Sequence, residues 1–122
     1  MILVVDDDQQ VRATIARGLT ALGYAVRDVA SGEEALERIA EQKPQLVVLD
    51  YMMPGMDGAE TAREIAKIDP DLPIVFSTGH VALRHLRQAA GEDASILEKP
   101  FTLAELDQLI NEMLHTKRVR SA

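Results

Sequence analysis

Three stretches of this chain carry almost no polar side chain: ILVV at 2–5, LVVL at 46–49 and LPIVFS at 72–77. Runs this short and this apolar suit strands of a parallel sheet covered on both faces, since a strand with one face in water would alternate. YAVRDV (24–29) and ASIL (94–97) read as two further strands. The segments between them follow a helical period. Val11, Ile15, Leu19 and Leu22 share a face, as do Leu36, Ile39 and Ala40, and Leu103, Leu106, Ile110 and Met113. From 80 to 91 the period is looser, with Val81, Leu83, Leu86 and Ala90 only roughly aligned. Capping-box spacing marks helix starts at Ser31 with Glu34, Thr102 with Glu105 and Asp57 with Glu60, while Gly23 and the Pro70 region mark ends. Alternating strands and helices, five of each, predict an α/β fold with one parallel sheet, right-handed crossovers and helices on both faces.

Composition narrows the functions open to such a fold. At 122 residues the chain has the size of one domain, and with 47% apolar but only 3% aromatic residues its core must be aliphatic. A net charge of -7 and a pI of about 4.9 argue against direct nucleic-acid binding, which needs a basic patch. The absence of cysteine excludes disulfides, thiolate metal sites and a cysteine nucleophile, and suits a reducing compartment. No apolar run reaches the ~18 residues of a membrane span, and the acids at 6–8 interrupt any signal-peptide core, so a cytoplasmic protein without membrane insertion is expected. The closing HTKRVRSA is basic, either a helix end whose cations suit the dipole or the stub of a linker.

Ligands of parallel α/β sheets bind beyond the carboxyl ends of the strands. Asp6, Asp7 and Asp8 follow the first strand, Asp50 the third, Ser77, Thr78 and Gly79 the fourth, and Glu98, Lys99 and Pro100 the fifth. Carboxylates placed together repel unless something neutralises them. With only hard oxygen donors on offer, the cation that fits is Mg²⁺, or Mn²⁺, rather than zinc. Lys99 and the Thr78 hydroxyl could hold the remaining oxygens of a phosphoryl group, and Asp50, alone at a central strand end, is the natural acceptor carboxylate. Each residue alone has an ordinary explanation: a solvated helix start with Asp8 as N-cap, a turn acid, a turn hydroxyl, a surface lysine. Their joint placement at four strand ends argues for chemistry.

The ordered set ILVVDDD, LVVLDYMMPGMDG, PIVFSTGH and LEKPF closely resembles the receiver domain of two-component response regulators, over essentially the whole chain. That resemblance implies a flavodoxin-like, doubly wound (βα)5 fold with strand order 2-1-3-4-5, a receiver domain at 1–116 and a short basic tail at 117–122. It implies that Asp50 takes a phosphoryl group from a sensor histidine kinase or histidine phosphotransfer protein. Asp7 would bind Mg²⁺ directly, Asp6 would assist, and the Met52 backbone carbonyl would complete the protein ligands. Thr78, Gly79, Lys99 and Met52 would contact the phosphoryl group, the Lys99–Pro100 peptide would be cis, and Pro54 and Gly58 would shape the turn after Asp50. Phosphorylation would then rearrange the face made by the fourth helix, fifth strand and fifth helix, with output through a protein partner, as a monomer or a phosphorylation-dependent dimer. Ile96 stands where the family commonly has a Phe or Tyr switch, and its stiff side chain cannot act as a rotating ring. Met52 and His80, two residues past Asp50 and Thr78, are candidates for tuning the acyl phosphate's lifetime, whereas His85 and His115 read as exposed. Two alternatives remain: a phosphatase or phosphotransferase built on the Asp6-x-Asp8 spacing, and a pseudo-receiver serving only as an interaction module. Dinucleotide binding is disfavoured because no G-x-G-x-x-G follows the first strand. No enzymatic action on other molecules is expected.

Overall fold

The computed structural model describes residues 1–79, 82–91 and 94–121; His80 and Val81, and with them the expectation for His80, lie outside the described residues. Five strands, β1 (Ile2–Val5), β2 (Val26–Val29), β3 (Leu46–Asp50), β4 (Ile74–Thr78) and β5 (Ser95–Glu98), alternate with five helices. These are α1 (Gln9–Ala21), α2 (Gly32–Glu41), α3 (Gly58–Ile68), α4 (Leu83–Ala90) and α5 (Leu103–Ser121). The sheet runs β2-β1-β3-β4-β5 with every adjacent pair parallel. Among the described residues no helix is long and apolar enough to cross a membrane.

The unbroken apolar runs are explained by the two cores they serve. Leu3, Val5, Val47, Leu49 and Phe76 face Ala35, Ile39, Ile65 and Leu86 of α2, α3 and α4. Their neighbours Ile2, Val4, Leu46, Val48 and Val75 face Ile15, Leu19, Leu106 and Ile110 of α1 and α5. Alternate side chains enter opposite layers, so a central strand needs apolar residues at every position. Edge strand β2 exposes Arg27 and Asp28, which accounts for its mixed sequence.

Helix starts lie where the capping patterns put them. Ser31 Oγ accepts from the Glu34 amide and Asp57 Oδ1 from the Glu60 amide, while Thr102 and Glu105 exchange bonds in both directions. The loosely patterned segment yields only eight residues of helix in α4, with no side-chain cap at Ala82. The strand bounds shift from the sequence reading in a way that matters. Tyr24 and Ala25 fall before β2, and Asp50, Thr78 and Glu98 are the last residues of their strands rather than loop residues. The ladder continues past them, with the Tyr51 amide donating to the Ser77 carbonyl at 3.0 Å and Lys99 to that of Thr78 at 2.7 Å. The helix α5 carries the backbone through Ser121, so residues 117–121 prolong it.

Candidate functional site

Asp50 closes β3 and is buried, with the neighbouring β4 holding it in register against Ser77. One strand further, Thr78 is also buried and its carbonyl carries the amide of Lys99. The Lys99 side chain folds back over the strand ends, and Nζ donates to Asp50 Oδ1 at 3.2 Å. The Lys99–Pro100 peptide is cis. On the other side β1 delivers Asp6, only 2% exposed, and Asp7, which faces solvent. Carboxylate oxygens of Asp6, Asp7 and Asp50 lie within 4.8 Å of one another. The first, third and fifth strand ends thus converge with Thr78 of the fourth beside them.

The cluster is short of positive charge. Three carboxylates face one ammonium, and Lys99 reaches Asp6 Oδ2 only at 3.7 Å, beyond hydrogen-bond range. The Asp50 carboxyl is pushed up to about 6, first by burial and then by the charge of Asp6, with Lys99 opposing both and Asp7 adding a little. Asp6 Oδ1 accepts from the Asp8 amide at 2.9 Å, but Oδ2 is buried and finds no hydrogen-bond partner among the described residues. A buried anionic oxygen without a donor is expensive unless a cation serves it. Hard oxygens, a net deficit of positive charge and that orphaned atom together fit Mg²⁺ or Mn²⁺.

Asp8 takes a different part. Its Oδ1 accepts from the Gln10 and Val11 amides, so it caps α1 and does not join the cluster, which removes the geometric basis for an Asp6-x-Asp8 phosphatase pair. The Thr78 hydroxyl donates to the Gly79 carbonyl at 3.3 Å, a long bond that it could readily exchange for a better acceptor. Gly79 follows it, half-buried, while the Met52 side chain is 62% exposed. Gly58 is where the turn after Asp50 returns: its amide donates to the Tyr51 carbonyl at 2.9 Å, and an added Cβ would lie 2.7 Å from Tyr51 Cα. Ile96 pairs with Phe76 across the ladder and packs on the core beneath α2, α3 and α4. His85 and His115 are exposed.

Two features of this neighbourhood escape a reading of the sequence. The Tyr51 ring, adjacent to Asp50 in the chain, lies 5.9 Å from that of His85 on α4 at an interplanar angle of 48°. Arg12 of α1 donates from Nη1 to the Asp6 carbonyl and from Nε to Asp28 Oδ2, each at 2.9 Å. Both contacts join residues that become neighbours only once helices are laid on the sheet, so no local spacing announces them.

Comparison with known proteins shows the family and the fold. The family model described as the response regulator receiver domain matches residues 2–111. The response regulator receiver protein CpdR of Brucella abortus is 40% identical over 114 residues, 93% of this chain and 95% of that protein. Response regulator MprA of Mycolicibacterium vanbaalenii is 44% identical over 108 residues, covering 86% of this chain, which therefore spans about half (46%) of MprA's length. Among solved structures, the receiver domain of NtrX from Brucella abortus superposes with a TM-score of 0.89 at 34% identity, covering 95% of this chain and 99% of that one. A response regulator receiver domain protein from Clostridium thermocellum gives 0.90 at 32% identity, covering 97% and 96%.

Proposed function

The chain belongs to the response regulator receiver domain family, and on that premise we propose that it is a phosphorelay switch modified on Asp50. The donor is the phosphohistidine of a sensor histidine kinase or histidine phosphotransfer protein. An Asp50 carboxylate oxygen attacks phosphorus, the P–N bond to the imidazole breaks, and the imidazole leaves with its electron pair. What carries this reading is the buried Asp50 carboxylate, bonded to Lys99 at 3.2 Å and flanked by two further acids at a strand-end rim.

Each neighbour has a task. Asp7 and Asp6, with Asp50 and the Met52 backbone carbonyl, are the groups that would hold Mg²⁺, which when bound offsets the carboxylate charge and draws the phosphoryl oxygens to the site. Lys99 surrenders Asp50 Oδ1 and pairs with the incoming oxygens, a preorganised cation where negative charge develops. The Thr78 hydroxyl exchanges its long bond to Gly79 for a phosphoryl oxygen, and the Gly79 backbone adds a contact. Replacing a carboxylate by a phosphoryl group makes the site more negative by up to about one unit. The pull on Thr78 and Lys99 then strains β4 and β5 and alters affinity for a protein partner through the α4–β5–α5 face. Residues 1–116 form the phosphoacceptor unit, with 117–122 as an appended basic segment.

Intact-mass measurement after incubation with acetyl phosphate and Mg²⁺ tests this. One added phosphoryl group is expected on the wild type and none on Asp50→Asn. Equal labelling of the two proteins, or no labelling of either, overturns the assignment.

A further inference from the structure

Asp6 is held at three points. Its amide donates to the Val29 carbonyl of β2 at 3.2 Å, and its Oδ1 accepts from the Asp8 amide at 2.9 Å. The third hold comes from Arg12, one turn into α1, whose Nη1 donates to the Asp6 carbonyl while Nε is anchored on Asp28 Oδ2 of β2. The Arg12 side chain is 17% exposed and its bond to the Asp6 carbonyl is half-buried, while Asp28 at 42% exposed leaves the other bond open to solvent. A guanidinium donates from separate nitrogens held in one rigid plane, so Nε and Nη1 can reach two acceptors that the single flexible ammonium of a lysine does not hold in fixed directions.

The acceptor it chooses is informative. The Asp6 carbonyl and the Asp7 amide belong to one rigid peptide plane. Fixing the direction of that carbonyl fixes ψ of Asp6 and φ of Asp7, and with them the direction in which both Cβ atoms leave the backbone. Asp6 is buried and Asp7 exposed, yet both must aim an oxygen at Asp50 for the three to lie within 4.8 Å. Mutual repulsion of the carboxylates pushes against that arrangement.

We propose that Arg12 is a positioning residue for the cation pocket, clamping the Asp6–Asp7 peptide between α1 and β2 so that both carboxylates are arranged before the cation arrives. The assignment rests on the reading of the acid cluster as a divalent-cation site. It carries an unusual sign. Arg12 is itself a cation near the pocket, so electrostatics alone predicts that its removal tightens Mg²⁺ binding. Positioning predicts the reverse, and loss of groups that orient metal ligands weakens affinity by about 10–100-fold.

The test is Mg²⁺ titration of the intact chain by calorimetry for wild type, Arg12→Ala and Arg12→Lys, with amide exchange measured separately in the metal-free proteins. We expect Mg²⁺ affinity to fall by about tenfold in Arg12→Ala. Arg12→Lys keeps the charge but not the fork and is expected to weaken binding too. Without any cation, the Asp8 amide should exchange faster in both variants, because its acceptor on Asp6 is no longer held. Should Arg12→Ala fail to fold, Arg12→Lys decides. Unchanged or tighter Mg²⁺ binding in a folded variant, whatever its melting temperature, overturns the assignment while leaving the cation site intact. A wild type that binds no Mg²⁺ overturns the cation site and the role of Arg12 with it.

Discussion

Asp50 shows how a residue suited to chemistry weakens the fold that holds it. Its carboxyl is raised from 3.8 to about 6, so the folded protein prefers the neutral acid. Stability from that preference is present in full below the unfolded value near 4 and is lost as pH rises through about 6. Two units correspond to an upper bound of about 3 kcal/mol by pH 7. In chelator, Asp50→Asn is therefore expected to be the more stable protein at pH 7.5, with the advantage shrinking towards pH 4. Saturating Mg²⁺ should narrow the gap by stabilising the wild type. Urea unfolding across pH checks this; a wild type that outlasts Asp50→Asn at pH 7.5 without cation contradicts it. That Asp50 would sit in an acid cluster was legible from sequence only jointly, because an acid closing an apolar run is ordinary until other strand ends deliver polar residues to the same rim. The parts of Asp6, Asp7 and Asp8 were less so. Three identical side chains in a row differ only in where the turn into α1 points them, and that turn sends Asp8 to the helix amides and Asp6 into the pocket.

The elements meet the site through close backbone approaches. The helix α3 starts at Gly58, whose missing Cβ lets its amide reach the Tyr51 carbonyl. A methyl group there would press on Tyr51 Cα at 2.7 Å and the Asp50 carbonyl oxygen at 2.8 Å, both backbone atoms with little room to yield. Gly58→Ala is expected to destabilise by about 1–3 kcal/mol, in the range of overpacked cores, and to lower the rate of acetyl phosphate labelling by displacing Asp50. Chemical unfolding and labelling kinetics read the two effects separately, and a variant normal in both counts against the turn's role. At the opposite face, the Tyr24 hydroxyl donates to Asp107 Oδ1 at 2.7 Å and fastens the approach to β2 onto α5. Periodicity identified these elements well where they were long or fully buried. It served least for α4, whose eight residues carry no side-chain cap. It also missed that Tyr24 precedes β2, because an aromatic followed by apolar residues has the composition of a strand whether or not its backbone pairs.

For the whole molecule, the proposed switch raises the question of how a change at Asp50 would reach the outer faces. Ile96 packs beside Phe76 in the core and has no ring to rotate, so the proposed coupling would have to use other contacts. The ladder offers one, since Thr78 and Lys99 are bonded through their backbones, and the Tyr51–His85 ring contact offers a second, from the residue after Asp50 to α4. Adding beryllofluoride with Mg²⁺ is expected to shift backbone amide resonances in β4, β5 and α4 well beyond the site itself. Changes confined to the strand ends would sink the idea of a transmitted switch. What the sequence alone determined is everything a short window encodes: three apolar runs and two more mixed strands, the helical faces between them, most of the caps, and the polar residues that follow the first, third, fourth and fifth strands. These follow from neighbours along the chain, and the period of a strand or helix is a local property. The tertiary structure alone decided which side chains share a pocket. The meeting of Arg12 with Asp6 and Asp28, or of Tyr51 with His85, depends on strand order and on the angle at which each helix lies across the sheet, and packing many residues apart in the chain sets both.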